Sequence, residues 1–162
     1  MSKQFWTFFA IGIVAVGITV AVTMESSKGN HLELDGRILH VRVLSLNPRA
    51  SIVVVDFRET NPSDVRFIVK NIEMTLEGVK DEPSGQIISK YDLKTVFDNL
   101  KLVGPKFNDA LSTGDLVAPH ETVDRMVGAR FELGEAAIEG RSALRIRIED
   151  LDRTVAELVE KK

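Results

Sequence analysis

The chain has 162 residues, 44% of them hydrophobic, with 24 acidic and 21 basic residues, a net charge of −3 and no cysteine. The missing cysteines exclude disulfides and thiolate metal sites, and a net-acidic chain lacks the basic patch that nucleic acid requires. The hydrophobic share suffices for one domain with a real core and an appendage.

That appendage comes first. Phe5–Thr23, FWTFFAIGIVAVGITVAVT, runs 19 residues without a charge. As a helix it would rise about 29 Å, close to the thickness of a bilayer's hydrocarbon, so a transmembrane helix is predicted. A cleaved signal peptide fits less well. Ala15-Val16-Gly17 would follow too short an apolar core, and Ala21-Val22-Thr23 puts a poor residue at the cut. No cysteine follows the segment, which excludes a lipoprotein anchor. Lys3 before the span and Glu25 after it place the amino terminus in the cytoplasm and the rest in the periplasm, at an inner membrane. Gly17 and Ala21 form a small-xxx-small pair through which two such helices could associate as a homo-oligomer.

Residues 1–23 are thus read as the anchor and 24–30, including Met24-Glu25-Ser26-Ser27, as a linker. A β domain is predicted over 31–152. Leu39, Val41 and Val43 alternate with His40 and Arg42, Asn47-Pro48-Arg49-Ala50 turns the chain, and Ile52 to Val55 with Phe57 forms a β-branched run suited to burial. Val65, Phe67 and Val69 then alternate, but beyond Asn71 the apolar positions shift to Ile72, Met74 and Leu76. That change of phase predicts a bulge or bend near Asn71, where the strand would pass between two sheets.

Gly78 to Gly85 reads as a hairpin loop with Gln86 to Ser89 as its returning strand. Leu93, Val96, Phe97 and Leu100 share a helical spacing, with Asp92 placed to cap. Pro105 and Gly114 break the following segment into loop and edge strand. Two strands with one wet face close the domain. The first carries Val127, Ala129, Phe131 and Leu133, the second Leu144, Ile146 and Ile148, and a turn of helix joins them. For 153–162, the Thr154-x-x-Glu157 pattern before Leu158 and Val159 predicts a frayed terminal helix, with a strand as the alternative. About seven short strands and one helical crossover give a mainly β fold: an N-terminal transmembrane helix, then an antiparallel β-sandwich with one short helix.

Between the central strands lies Glu59-Thr60-Asn61-Pro62-Ser63-Asp64. Its Asn-Pro-Ser is no glycosylation site, because proline occupies the middle position. With Phe57 before it, Phe67-x-Val69 after it and an alternating strand ending at Gly78, Asp56–Gly78 resembles the core of the late-embryogenesis-abundant type 2 family. It is also similar to bacterial extracytoplasmic immunoglobulin-like domains, in which an Asn-Pro turn joins two central strands. The resemblance implies an immunoglobulin-like β-sandwich that serves as a binding or structural module. The turn reading gives Asn61 backbone hydrogen bonds, Pro62 a preset φ, and Ser63 and Asp64 the closing polar groups.

Catalytic patterns are missing. His31, His40 and His120 stand in no metal-ligand spacing, no serine sits in a nucleophile elbow, and the glycines form no phosphate cradle. No cofactor and no catalytic residue are therefore expected. Calcium needs only oxygen ligands, and Asp150 and Asp152 with Glu59 and Asp64 are the candidates, although no Asp-x-Asp-x-Asp-Gly loop exists. Arg125, Arg130, Arg145 and Arg147 form either a basic stripe or cross-strand ion pairs with Glu132 and Glu149, and the ion pairs are the simpler reading. The expectation is a non-catalytic, membrane-anchored envelope protein that holds a protein partner or serves as an accessory subunit. A lipid or apolar-ligand carrier, with a cavity between the sheets and the Leu93–Leu100 helix as its lid, and a calcium-dependent adhesion module are the alternatives.

Overall fold

A computed structural model describes residues 12–14, 16–19, 33–99 and 104–162. The chain divides into two units, Met1–Asn30 and His31–Lys162. In the first, residues 12–14 and 16–19 are helical. The expected span Phe5–Thr23 otherwise lies outside the described residues, as do Ala21, the linker 24–30 and His31. Among the described residues no helix is long and apolar enough to cross a membrane.

The second unit is mainly β. Its elements are β1 (Asp35–Asn47), β2 (Ala50–Thr60), β3 (Phe67–Glu77), β4 (Gln86–Ile87), α1 (Lys90–Asn99), β5 (Asp109–Ala110), β6 (Leu116–Val117), β7 (Thr122–Phe131), α2 (Glu135–Glu139), β8 (Ala143–Asp150) and β9 (Val155–Lys161). They form two sheets, one ordered β1-β2-β7-β4 with β5 also on β7, the other β6-β3-β8-β9. All pairings are antiparallel except β5 on β7, which is parallel. The sheets share one core: Val53, Val55 and Phe57 of β2 and Val127, Ala129 and Phe131 of β7 join Met74, Leu76, Leu144, Ile146 and Leu158 from the opposite sheet.

β2 is buried on both faces, from Ala50 through Phe57. Its outward residues Ile52 and Val54 form a second apolar cluster with Leu44, Ala110, Met126 and Leu93 of α1. This explains its unbroken β-branched sequence, because a strand covered on both sides has no wet face to alternate toward. It also corrects the reading of β7 as half wet: α1 covers its outer face at Met126 and Gly128. A side-chain carbon at Gly128 would come within 2.6 Å of the Leu93 Cδ1. Gly128→Ala should therefore cost about 1 kcal/mol as α1 is pushed outward, measurable as a lowered melting temperature with native β circular dichroism.

The phase change near Asn71 is a bulge. The register passes from Val69↔Asp150 to Asn71↔Glu149, so Lys70 is the extra residue. Phe67 and Val69 before it and Ile72, Met74 and Leu76 after it all reach the core. The strand does not pass between sheets, since β3 pairs β6 and β8 of one sheet. A similar bulge in β1 skips Leu39, so that Ile38, not Leu39, continues inward with Val41 and Val43.

The segment that does cross is the expected returning strand. Leu76 N–H donates to Pro83 O and Gly85 N–H to Met74 O, but β4 then pairs with β7 of the other sheet. Ser89 caps α1: its hydroxyl accepts from the Asp92 N–H at 3.1 Å and donates to the Asp92 carboxylate at 2.7 Å. Asp92 is thus the third residue of the helix, bonded back to the cap, and not the cap itself. The tail 153–162 is corrected from helix to strand. β9 pairs with β8 from Val155 to Lys161, placing Ala156 and Leu158 in the core, and the domain extends past 152. The alternation of Ala156 and Leu158 against Glu157 and Val159 serves a sheet edge, and packing overrides the capping pattern.

Candidate functional site

The turn Asn61–Asp64 lies where β2 leaves its sheet, and Asn61 is completely buried. Its side-chain amide donates to Val65 O at 2.8 Å and to Val117 O of β6 at 3.1 Å, while its Oδ1 accepts from the Ser63 N–H at 3.0 Å. The Ser63 hydroxyl lies between Asn61 Oδ1 at 2.8 Å and Val65 O at 2.7 Å. Backbone bonds add Asn61 N–H to Glu121 O and His120 N–H to Asn61 O. Asn61 thus ties the β2–β3 turn to β6 through its side chain and to the β6–β7 connection through its backbone. Asp64 is exposed and meets His120 Nε2 at 3.0 Å. Asn61→Ala should cost about 2 kcal/mol, because buried carbonyls lose their donors, and chemical denaturation would measure it.

Two residues earlier the chemistry is different. Glu59 follows Val53, Val55 and Phe57 on the inward face of β2, opposite Gly36 of β1 and Val123 of β7. It is fully buried, and both carboxyl oxygens lack a hydrogen-bond partner. Burial pushes its pKa up to about 7, against the lowering pull of the Arg125 charge, with Asp115 raising it further.

The calcium candidates do other work. Asp150 is buried at the end of β8, and its Oδ1 accepts from the N–H groups of Ile68 and Leu151 at 2.9 and 2.7 Å. Asp152 is exposed in the β8–β9 turn, Asp64 faces His120, and Glu59 points into the core. Among the described residues no three His, Asp or Glu side chains gather as a metal ion would need. The arginines do not form one stripe either. Arg125 and Arg130 lie on β7 and Arg145 and Arg147 on β8, in different sheets. Arg145 pairs with Glu77 at 2.6 Å and also with Glu157, Arg147 pairs with Glu73 at 3.4 Å, and Arg130 with Glu132 at 2.8 Å. Glu149 pairs with Lys70, whose ammonium holds its carboxyl below the usual range.

Among the described residues a concave surface lies on the outer face of the first sheet, where α1 and the loop before β5 cover β1, β2 and β7. Asp56 is fully buried there, its Oδ2 2.6 Å from Arg42 Nη2 and its Oδ1 accepting from Asn108 Nδ2 at 3.0 Å. The Arg42 guanidinium stands 5.2 Å from the Phe97 ring and 5.1 Å from the Phe107 ring, and also donates to Pro105 O at 2.8 Å. His40 is exposed and stacks on Phe107 at 5.8 Å. Beside this cluster a cavity of about 420 Å³ is floored by Phe97, Ala110 and Met126 and edged by Lys90, Lys94 and Lys106. A more polar hollow of about 410 Å³, reaching Asn71, Ile87 and Leu111, lies on the other side of Lys90 and Tyr91. Sequence reasoning missed the lysines. Lys90 and Lys94 stand one helical turn apart, a visible signal, but the approach of Lys106 depends on a loop whose path only the fold defines.

No protein-family model matches the chain, and no curated protein matches its sequence.

Proposed function

We propose that the chain is a non-catalytic envelope protein, anchored in an inner membrane by Phe5–Thr23 with its amino terminus cytoplasmic and its β domain periplasmic, and that the domain holds an apolar ligand against α1. The observation that carries the reading is the 420 Å³ cavity over Phe97, Ala110 and Met126, which falls in the size range of small-molecule sites and has an apolar floor with a few polar groups at its rim. Its place differs from the carrier reading of the sequence, which would put the ligand between the sheets. An immunoglobulin-like sandwich is supported by strand order, since β1-β2-β7-β4 facing β3-β8-β9 follows the A-B-E-D and C-F-G arrangement of that fold.

Photolabelling tests the ligand role. Full-length protein in lipid nanodiscs, treated with a neutral alkyl diazirine, should carry adducts on the peptides of Phe97 and Met126, and unlabelled decanol should suppress them. Labels spread evenly over the domain would overturn the reading. The anchor has its own test, because full-length protein should leave the membrane only with detergent. An accessory role toward a protein partner is the second reading. It is favoured by the exposed Leu116 and Leu151, of which Leu116 pairs with Ile68 across the strands and Leu151 donates its N–H to Ile68 O.

A further inference from the structure

We infer that the cavity beside α1 selects a single-chain amphiphile with a monoanionic head, a medium-length alkyl or aryl carboxylate, through Lys90 and Lys94 together with Lys106. The inference rests on the proposed ligand-holding role and names the ligand's chemistry. The floor is the start of the argument. Met126 and Ala110 are nearly inaccessible and belong to the apolar cluster of Leu44, Ile52, Val54 and Leu93, so the bottom of the cavity offers no hydrogen bond to a polar ligand. At about 30 Å³ for a group the size of water, 420 Å³ admits roughly a dozen non-hydrogen atoms, which fits one ten-carbon chain and not a two-chain phospholipid.

The rim supplies the sign of the head. Three lysines line the cavity from two elements, Lys90 and Lys94 from successive turns of α1 and Lys106 from the loop before β5. Two carboxylates answer them. Asp109 is taken up by Lys106, 2.6 Å away, which holds its carboxyl below the usual range, and Asp98 lies four residues beyond Lys94. Three lysines less two aspartates leave one positive charge at the mouth of an apolar pocket, in a chain whose net charge is −3. The neighbouring Arg42 is already committed to Asp56. A carboxylate head at the lysines with its chain over Met126 satisfies both halves of the site, whereas an alcohol of the same length gains only the burial.

Titration calorimetry on the full-length protein in nanodiscs at pH 7.5, with protein-free nanodiscs subtracted, separates the possibilities. Decanoate should bind about tenfold tighter than decanol, an advantage that shrinks with added salt. In the double variant Lys90→Gln/Lys94→Gln, whose positions are exposed and outside the packed core, decanoate should fall to the decanol level while decanol is unchanged. Equal affinities in the parent protein, or an advantage that survives the double variant, overturn the charge selection but leave the apolar cavity in place. Binding of neither ligand overturns both.

Discussion

Replacing Glu59 with glutamine should remove most of the protein's pH dependence of stability between pH 4.5 and 8. The wild-type carboxyl has a pKa raised from 4.5 to about 7 by burial. In the unfolded chain it ionises near 4.5, so between these values the folded state binds the extra proton. Stability is therefore full below about pH 4.5 and falls as pH rises through 7, where the folded state must carry a buried charge. The loss accumulates to about 3 kcal/mol, or roughly 10 °C in melting temperature for a domain of this size. Glu59→Gln should melt at a nearly constant temperature across the window and should exceed the parent at pH 8. The depressed carboxyls of Asp109, Asp124, Glu139 and Glu149 act in the opposite sense and at lower pH, since their ion pairs are lost as pH falls through their folded values. The parent should thus be most stable near pH 4 to 5. A parent protein whose melting temperature is flat from pH 5 to 8 would contradict the burial of an unpartnered carboxyl.

Arg42→Met should destabilise the domain by about 3 to 5 kcal/mol, since it leaves the Asp56 carboxylate buried without its counter-charge. The Asn108 amide would remain as one donor, too little to replace an ion pair at 2.6 Å. A second effect is local. Arg42 also holds Pro105 O and stands against the rings of Phe97 and Phe107, so its loss should expose 104–108 to proteolysis before the rest of the domain. The double variant Arg42→Met/Asp56→Leu should recover most of the stability, because two apolar side chains in that place need no partner. If the single variant costs less than 1 kcal/mol, or the double variant is worse than the single, the pair does not have the role assigned to it.

The strands were legible where one face is core and the other is water. Leu144, Ile146 and Ile148 alternate with Arg145, Arg147 and Glu149, and β8 has that form; the bulge at Lys70 was written in the jump from Val69 to Ile72. Where α1 covers a sheet, alternation no longer reports exposure. Gly128 looks like a wet position and is instead the place where Leu93 enters. Long-range partners were illegible for the same reason that strand order was: Asn61 reaches Val117 across 56 positions, and no spacing encodes that contact. Glu59 is the instructive case. Its parity with Val55 and Phe57 pointed inward, while its residue type suggested a loop ligand, and parity was the better guide. The lysines around the cavity stand on two elements brought together only by tertiary packing.

The crossing segment before α1 binds both layers within four residues. The Gly85 amide is held by Met74 of one sheet and the Ile88 amide by Gly128 of the other, each at 2.8 Å. A slip of either sheet along its partner would break one of these bonds without releasing the other. The segment works as a rivet, so the two layers should open together as one cooperative unit, and the wall of the cavity inherits the stiffness of the whole sandwich.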